Sequence, residues 1–266
     1  MTTAALPERR GTLWIFGALF RRELRVARRE LPFFLLRTTL QPLLVVIVFG
    51  FMLPRMGFVQ GGYGGALLPG ICAISLMLSS MMSVSFPMIV DFGVTKEIED
   101  RLLAPIDMKY LALTKVLWGS VAGLIAVLFL LPVARLIMGP IAGLTVSHFA
   151  LVILFTLLGA GAFSTFALWL GTVLNPEQIG LMFGVILTPM IFFGCAYYPW
   201  QAMSVVPVLK YIVLINPLVY VAEGLRGTLT PTLPHMPVWA SLAGLLVINA
   251  LFWTMGIRTF RKRALG

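Results

Sequence analysis

The sequence predicts an all-α membrane protein. The expected architecture is six transmembrane helices, an N-terminal interfacial amphipathic helix, a short cytoplasmic helix between the second and third spans, and an outer re-entrant helical hairpin. Three observations carry this. The 266 residues are 59% hydrophobic and 11% charged, with a mean hydropathy of +0.98, whereas a soluble domain carries about 25% charged residues. Long apolar runs recur along the chain, each of the length a bilayer demands. Between two of them sits a charged island, Asp91 to Tyr110, holding Asp91, Lys96, Glu97, Glu99, Asp100, Arg101, Asp107 and Lys109. Each such charge costs about 3 kcal/mol at a bilayer centre, or roughly 24 kcal/mol for the set, so the island is expected in water.

Residues 1–12 read as a polar tail. In residues 13–31, Leu13, Phe16, Phe20, Leu24, Ala27 and Leu31 recur at helical steps, and Arg21, Arg22, Arg25, Arg28 and Arg29 fall on another face. A basic amphipathic helix beside a span lies in the membrane interface with its arginines toward anionic headgroups; contact with a cytoplasmic partner is the alternative use. Pro32 is expected to end this helix at Leu31, so residues 1–32 form one unit and residues 33–266 the six-span domain. Basic residues run to Arg37 with no small-residue cleavage site after the first apolar stretch, so the first span is expected to be retained.

The spans follow in order at about 33–53, 66–90, 111–131, 149–174, 179–198 and 238–257. The second is rich in small polar residues (Ser75, Ser79, Ser80, Ser83, Ser85), and the third holds Gly119 and Gly123 in a G-x-x-x-G. Small residues let helices approach closely; lining of a solute path is the other reading of the serines. The Gly-rich turn at 54–65 lacks a following Lys and a preceding strand, which argues against a phosphate loop. Cys72 and Cys195 lie in apolar runs and have neither metal nor disulfide spacing.

The 199–237 segment is too long for a turn and too apolar for a disordered linker. Asn216-Pro217 reads as a helix N-cap and first helical position, with Gly227 just past the helix end. A second short helix at 200–212 makes this a re-entrant hairpin, tolerated at membrane depth only when packed on protein or lining a wet cavity. Glu223 and Arg226, three apart, can pair, as a local salt bridge or as part of an outer gate.

Six spans put both termini on one side. Arg9, Arg10, Arg21, Arg22, Arg25, Arg28, Arg29, Arg37, Lys96, Arg101, Lys109, Lys115, Arg258, Arg261, Lys262 and Arg263 share that side, against Arg55, Arg135, Lys210 and Arg226 on the other. The bias puts both termini and the island in the cytoplasm, and explains the net charge of +10 without nucleic acid.

Within the island, Val94, Ile98 and Leu102 recur every four residues, Glu97 and Arg101 form an i,i+4 pair, and Pro105 ends the helix. The helix either floats on the membrane surface or docks into a soluble partner.

Three stretches resemble the membrane-spanning permease of a type-2 ABC transporter, the bacterial group of drug, lipo-oligosaccharide and polysaccharide exporters. They are R-R-E-L-R-V-A-R-R-E-L-P…Q-P-L-L at Arg21–Leu44, K-E-I-E-D-R-L-L-A-P-I at Lys96–Ile106, and Y-Y-P…I-N-P-L-V-Y-V-A-E-G-L-R-G at Tyr197–Gly227. Together they span nearly the whole chain. The second departs from many relatives in having Glu-Asp-Arg where they have Gly after the acidic pair.

The resemblance implies a half-transporter in the inner membrane of a bacterial cell, working as a homodimer or heterodimer. A separate ABC ATPase subunit would bind a coupling helix formed by Glu97, Ile98, Glu99, Asp100, Arg101, Leu102, Leu103 and Pro105. Asn216, Pro217, Tyr220, Glu223 and Arg226 would form the outer hairpin and gate. No cofactor is expected in this chain; ATP and Mg belong to the partner, and the sequence contains no G-x-x-x-x-G-K-[ST]. Two other functions fit less well. A membrane enzyme needs clustered acid/base or metal groups, and the only histidines, His148 and His235, lie far apart. A channel needs polar rings within its spans, which here are Leu, Val, Phe, Met and Gly. Aromatic and Met-rich spans suit an amphipathic or lipid-like solute.

Overall fold

A computed structural model of the chain describes residues 12–58, 62–93, 108–141, 143–145 and 147–265. Among the described residues, eight main helices build it: α1 (Thr12–Val45), α2 (Tyr63–Gly93), α3 (Met108–Met138), α4 (Phe149–Val173), α5 (Pro176–Phe192), α6 (Pro207–Ile212), α7 (Pro217–Leu229) and α8 (Val238–Leu265). No strand occurs among the described residues. Among the described residues, five helices are long and apolar enough to cross a membrane, six if the bent pair Pro207–Ile215 and Pro217–Leu229 counts as one.

α2 is the axis of the bundle. It packs against α1, α3, α4 and α7, and 22 of its 31 residues are buried. Between membrane helices there is little hydrophobic drive, so close approach and cross-helix hydrogen bonds do the holding. The G-x-x-x-G of α3 supplies that approach: a Cβ at Gly119 would lie 2.6 Å from Ser164 Oγ of α4 and 3.1 Å from the Ser80 carbonyl of α2. At Gly123 it would overlap Ser80 Oγ. Ser79 Oγ donates to the Ala122 carbonyl at 3.0 Å. The serines of the second span are thus packing groups inside one chain: all five are buried.

Four helix boundaries differ from expectation. α1 does not stop at Leu31 but runs through Pro32 and Pro42 to Val45. A proline removes one ladder bond, and a helix beside neighbours tolerates that. The change from polar to apolar still falls at Pro32, where the apolar span begins. Past Pro42 the helix widens into a π-turn at Val46–Met52. α3 likewise continues through Pro132 to Met138. α7 runs past Gly227 to Leu229. Gly227 is there for contact, not as a cap: a Cβ would meet His235 Nδ1 at 3.0 Å and Val238 Cγ2 at 3.1 Å.

The fourth difference is the fifth expected span. α5 ends at Phe192, not Tyr198, and its 17 or fewer residues are shorter than the five spanning helices. At 1.5 Å per residue it covers about 25 Å, less than a ~30 Å hydrocarbon core. It is also broken, with a π-turn at Met182–Leu187 ahead of Pro189. Thr188 Oγ1 takes up the Phe183 carbonyl at 2.9 Å. The chain nonetheless passes the length of α2 here, from Pro176 against Gly93 to Ala196 against Gly70.

These contacts sort the loops into two ends. At one, the turn after α4 meets the last turns of α2 and α8. At the other, Tyr63 Oη donates to the Tyr197 carbonyl at 2.9 Å, the Thr145 N–H to Leu229 at 2.8 Å and the Met236 N–H to Glu223 at 2.6 Å. The end of α2, the 174–178 turn and the last turns of α8 thus share one end, and the start of α2, residue 145 and the 197–236 segment share the other.

Candidate functional site

The hairpin end is built around α7. Asn216 caps it: its Oδ1 accepts from the Leu218 N–H at 3.0 Å, and its Nδ2 donates to the Met190 carbonyl of α5 at 2.8 Å. Pro217 occupies the first helical position, where its missing N–H is no loss. Before it, Trp200–Val205 forms a 3-10 turn, and α6 leads into a further 3-10 turn at Val213–Ile215. The axis bends by 100° at Asn216. Tyr220 Oη donates to the Leu214 carbonyl across the bend at 2.8 Å, and its ring rests on Gly244 of α8. Val221 and Gly224 pack on Gly159 and Phe155 of α4, while Leu229 meets Thr145 just before α4 begins. The N-terminus of α7 is therefore the deeper one, and the helix climbs toward the hairpin end.

On that helix Glu223 and Arg226 pair, as their spacing predicts, with both side chains fully buried. The pair is more than a local bridge. Arg226 Nη2 donates to the Cys195 carbonyl at 2.9 Å and to the Ala66 carbonyl of α2 at 3.2 Å, and Nε reaches the same Ala66 oxygen at 3.3 Å. Glu223 Oε1 accepts from the Trp200 N–H at 2.9 Å, and Oε2 from the Met236 N–H at 2.6 Å. Three other segments, at Ala66, Cys195–Trp200 and Met236, converge on the two charges. Burying an ion pair is tolerable only with such additional bonds. Glu223 is closed off from water: its carboxylate accepts from two backbone N–H groups and from the Arg226 guanidinium. Asn216, Pro217, Tyr220, Glu223 and Arg226 are thus brought together, as a knot closing the hairpin end.

At the opposite end, Asp91 and Lys115 form an ion pair at 3.6 Å, joining α2 and α3 where they lead into and out of residues 94–107. Asp91 opens the charged island expected in water, yet it is only 8% exposed. It belongs to the bundle, 24 residues from its partner, a separation no helical period reports. Lys109 is exposed. The coupling-helix residues Glu97, Ile98, Glu99, Asp100, Arg101, Leu102, Leu103 and Pro105 lie outside the described residues. Arg21 and Arg25 are exposed on α1; the side chains of Arg22, Arg28 and Arg29 are outside the description.

A many-helix apolar bundle, knotted at one end and stapled at the base of a charged loop at the other, defines a multi-pass membrane protein. The model of the ABC-2 type transporter family matches residues 15–230, well over half of the chain, and the chain belongs to that family. It is accordingly a transport permease. No curated protein matches it.

Proposed function

We propose that this permease is half of an ATP-driven exporter in a bacterial inner membrane, with both termini cytoplasmic and ATP and Mg held by a separate ABC ATPase. It works as a homodimer and moves an amphipathic or lipid-linked solute, a drug, glycolipid or polysaccharide, out of the cytoplasm. The carrying observation is the family match over four of the five spanning helices and the hairpin in a sequence without a nucleotide loop. A permease of this kind needs an external ATPase and a contact that differs between its states. The helix expected at 96–104 is that contact, with the Asp91–Lys115 pair bracing its stems. The hairpin of α6 and α7 is the re-entrant element, sealed by Glu223 and Arg226.

The test is copurification. An ABC ATPase should bind the detergent-solubilised chain, and the double variant Glu99→Lys/Asp100→Lys should lose that binding and transport. Unchanged binding and transport in the variant would remove the docking assignment.

Sidedness has its own test. Glu223 is buried, so the informative position is Ser204, exposed in the turn before α6. Ser204→Cys should react with an impermeant thiol reagent on intact cells, since the native Cys72 and Cys195 are buried. Labelling that requires lysis would invert the orientation.

A further inference from the structure

The end of the bundle that carries the 94–107 loop holds a second polar network, which the proposed function leaves without a role. α8 continues past its apolar stretch and brings Arg263 back onto the last turn of α4. The guanidinium donates to the Thr172 carbonyl at 2.8 Å, the Leu174 carbonyl at 2.9 Å and Asn175 Oδ1 at 3.0 Å. Carbonyls at a helix C-terminus have no partner within the helix, and a cation there also meets the negative end of the helix dipole. One turn back on α8, the Thr259 hydroxyl shares a 2.7 Å hydrogen bond with Thr172.

The same guanidinium lies 5.0 Å from the centre of the Phe92 ring, and Phe92 meets Phe260 edge-on at 5.6 Å. Gly93, the last residue of α2, packs so tightly on Pro176 that a Cβ would overlap the proline ring. Three segments therefore meet at Arg263: the end of α2, the turn joining α4 to α5, and the last turns of α8.

Pro176 is also where α5 begins. α5 is packed against the rest of its own chain less than α2 or α4 are: its buried residues are Met182, Leu187 and Ile191. Gly180 and Gly184 face open space, and a π-turn interrupts its ladder. π-turns inside helices are frequent at functional positions. A helix with few buried contacts to its own chain and an interrupted ladder is the element most easily displaced, and its first residue abuts the base of the charged loop.

We propose that Arg263 is a positioning residue for transport: by tethering the 174–178 turn to α4 and α8 against the end of α2, it makes displacement of α2 move α5. Without the tether the Gly93–Pro176 contact would still be steric, but the turn could slide aside under load. This rests on the ATP-driven reading above.

The test uses the full chain with its ATPase in liposomes. A nitroxide pair at Val185→Cys on α5 and Trp239→Cys on α8, both exposed, reports the position of α5 by distance measurement. Trapping the ATPase with Mg-ATP and vanadate should shift the wild-type distance. Arg263→Ala should keep the ATPase bound and hydrolysing, lose the shift, and lower transport per ATP by about fivefold or more, the low end of an ordinary coupling between sites. Arg263→Lys, which retains a cation able to reach the helix carbonyls, should recover part of both. Asn175→Ala, which removes one exposed acceptor, should move both readouts in the same direction by less. Wild-type distance shift and wild-type transport per ATP in Arg263→Ala would overturn the proposal. Should Arg263→Ala fail to fold, the same result in Asn175→Ala overturns it. If no ATPase binds the wild-type chain at all, the ATP-driven reading falls and takes this one with it; the loss of coupling alone would leave that reading standing.

Discussion

Replacing Arg226 with Leu should be among the most damaging single changes in the chain, lowering stability by about 3–5 kcal/mol. The side chain is wholly buried, so its removal strands the Glu223 carboxylate inside the hairpin and frees the Ala66 and Cys195 carbonyls together. Glu223→Gln should fall in the same range. The amide offers one acceptor where the carboxylate offers two, so the Trp200 and Met236 N–H groups cannot both keep their bonds, and Arg226 keeps an uncompensated charge. The double variant Glu223→Gln/Arg226→Met removes both charges and should cost clearly less than the sum of the single changes. The readout is the melting midpoint of the detergent-solubilised protein, followed by size-exclusion recovery after heating. Additive losses, or a single Arg226→Leu variant that melts with the wild type, would refute the knot.

That knot shows which parts of the molecule are readable from sequence. The pairing of Glu223 with Arg226 is legible because three residues is a helical step, and the Asn216-Pro217 cap because its chemistry is local. The apolar runs announce α2, α3, α4 and α8 because a bilayer fixes their length. What the pair is tied to was not legible. Ala66, Cys195, Trp200 and Met236 contribute backbone atoms, which every residue possesses, so their side chains carry no trace of the role. The same holds for Arg263, whose partners include the Thr172 and Leu174 carbonyls; in the sequence it is one more basic residue of a C-terminal cluster. Proline misled in the opposite direction. Pro32 and Pro132 read as helix ends by their local cost, but α1 and α3 absorb that cost and continue. Phe193–Tyr198 is apolar enough to read as the end of the fifth span, though the helix stops at Phe192. The chain instead turns at Cys195, which adopts a left-handed φ of 53°.

That turn is the site of the second large effect. Gly70→Ala should destabilise the protein far beyond what one methyl group suggests. A Cβ at Gly70 would overlap the carbonyl, carbon and Cα of Ala196, and backbone atoms cannot rotate out of the way as a side-chain tip can. Either α2 or the 193–197 turn must move. The turn is gripped on both sides of the contact, by Arg226 on the Cys195 carbonyl and by Tyr63 on the Tyr197 carbonyl. Moving it breaks bonds that the buried ion pair depends on. Overpacking alone costs about 1–3 kcal/mol, and the coupled loss should carry Gly70→Ala to the upper part of that range or past it. Gly64→Ala is the control on the same helix. Its Cβ would meet only the methyl end of Met138, at 2.7 Å, and a methionine tip can shift at little cost. Melting midpoints should therefore separate the two alanines clearly, with Gly64→Ala near wild type. Gly70→Ala combined with Arg226→Leu should lose less than the sum, because both act by releasing the same turn. Equal midpoints for Gly64→Ala and Gly70→Ala would mean that α2 and the hairpin turn have room between them, and the tight seam that lets Arg226 reach both Ala66 and Cys195 would have to be abandoned.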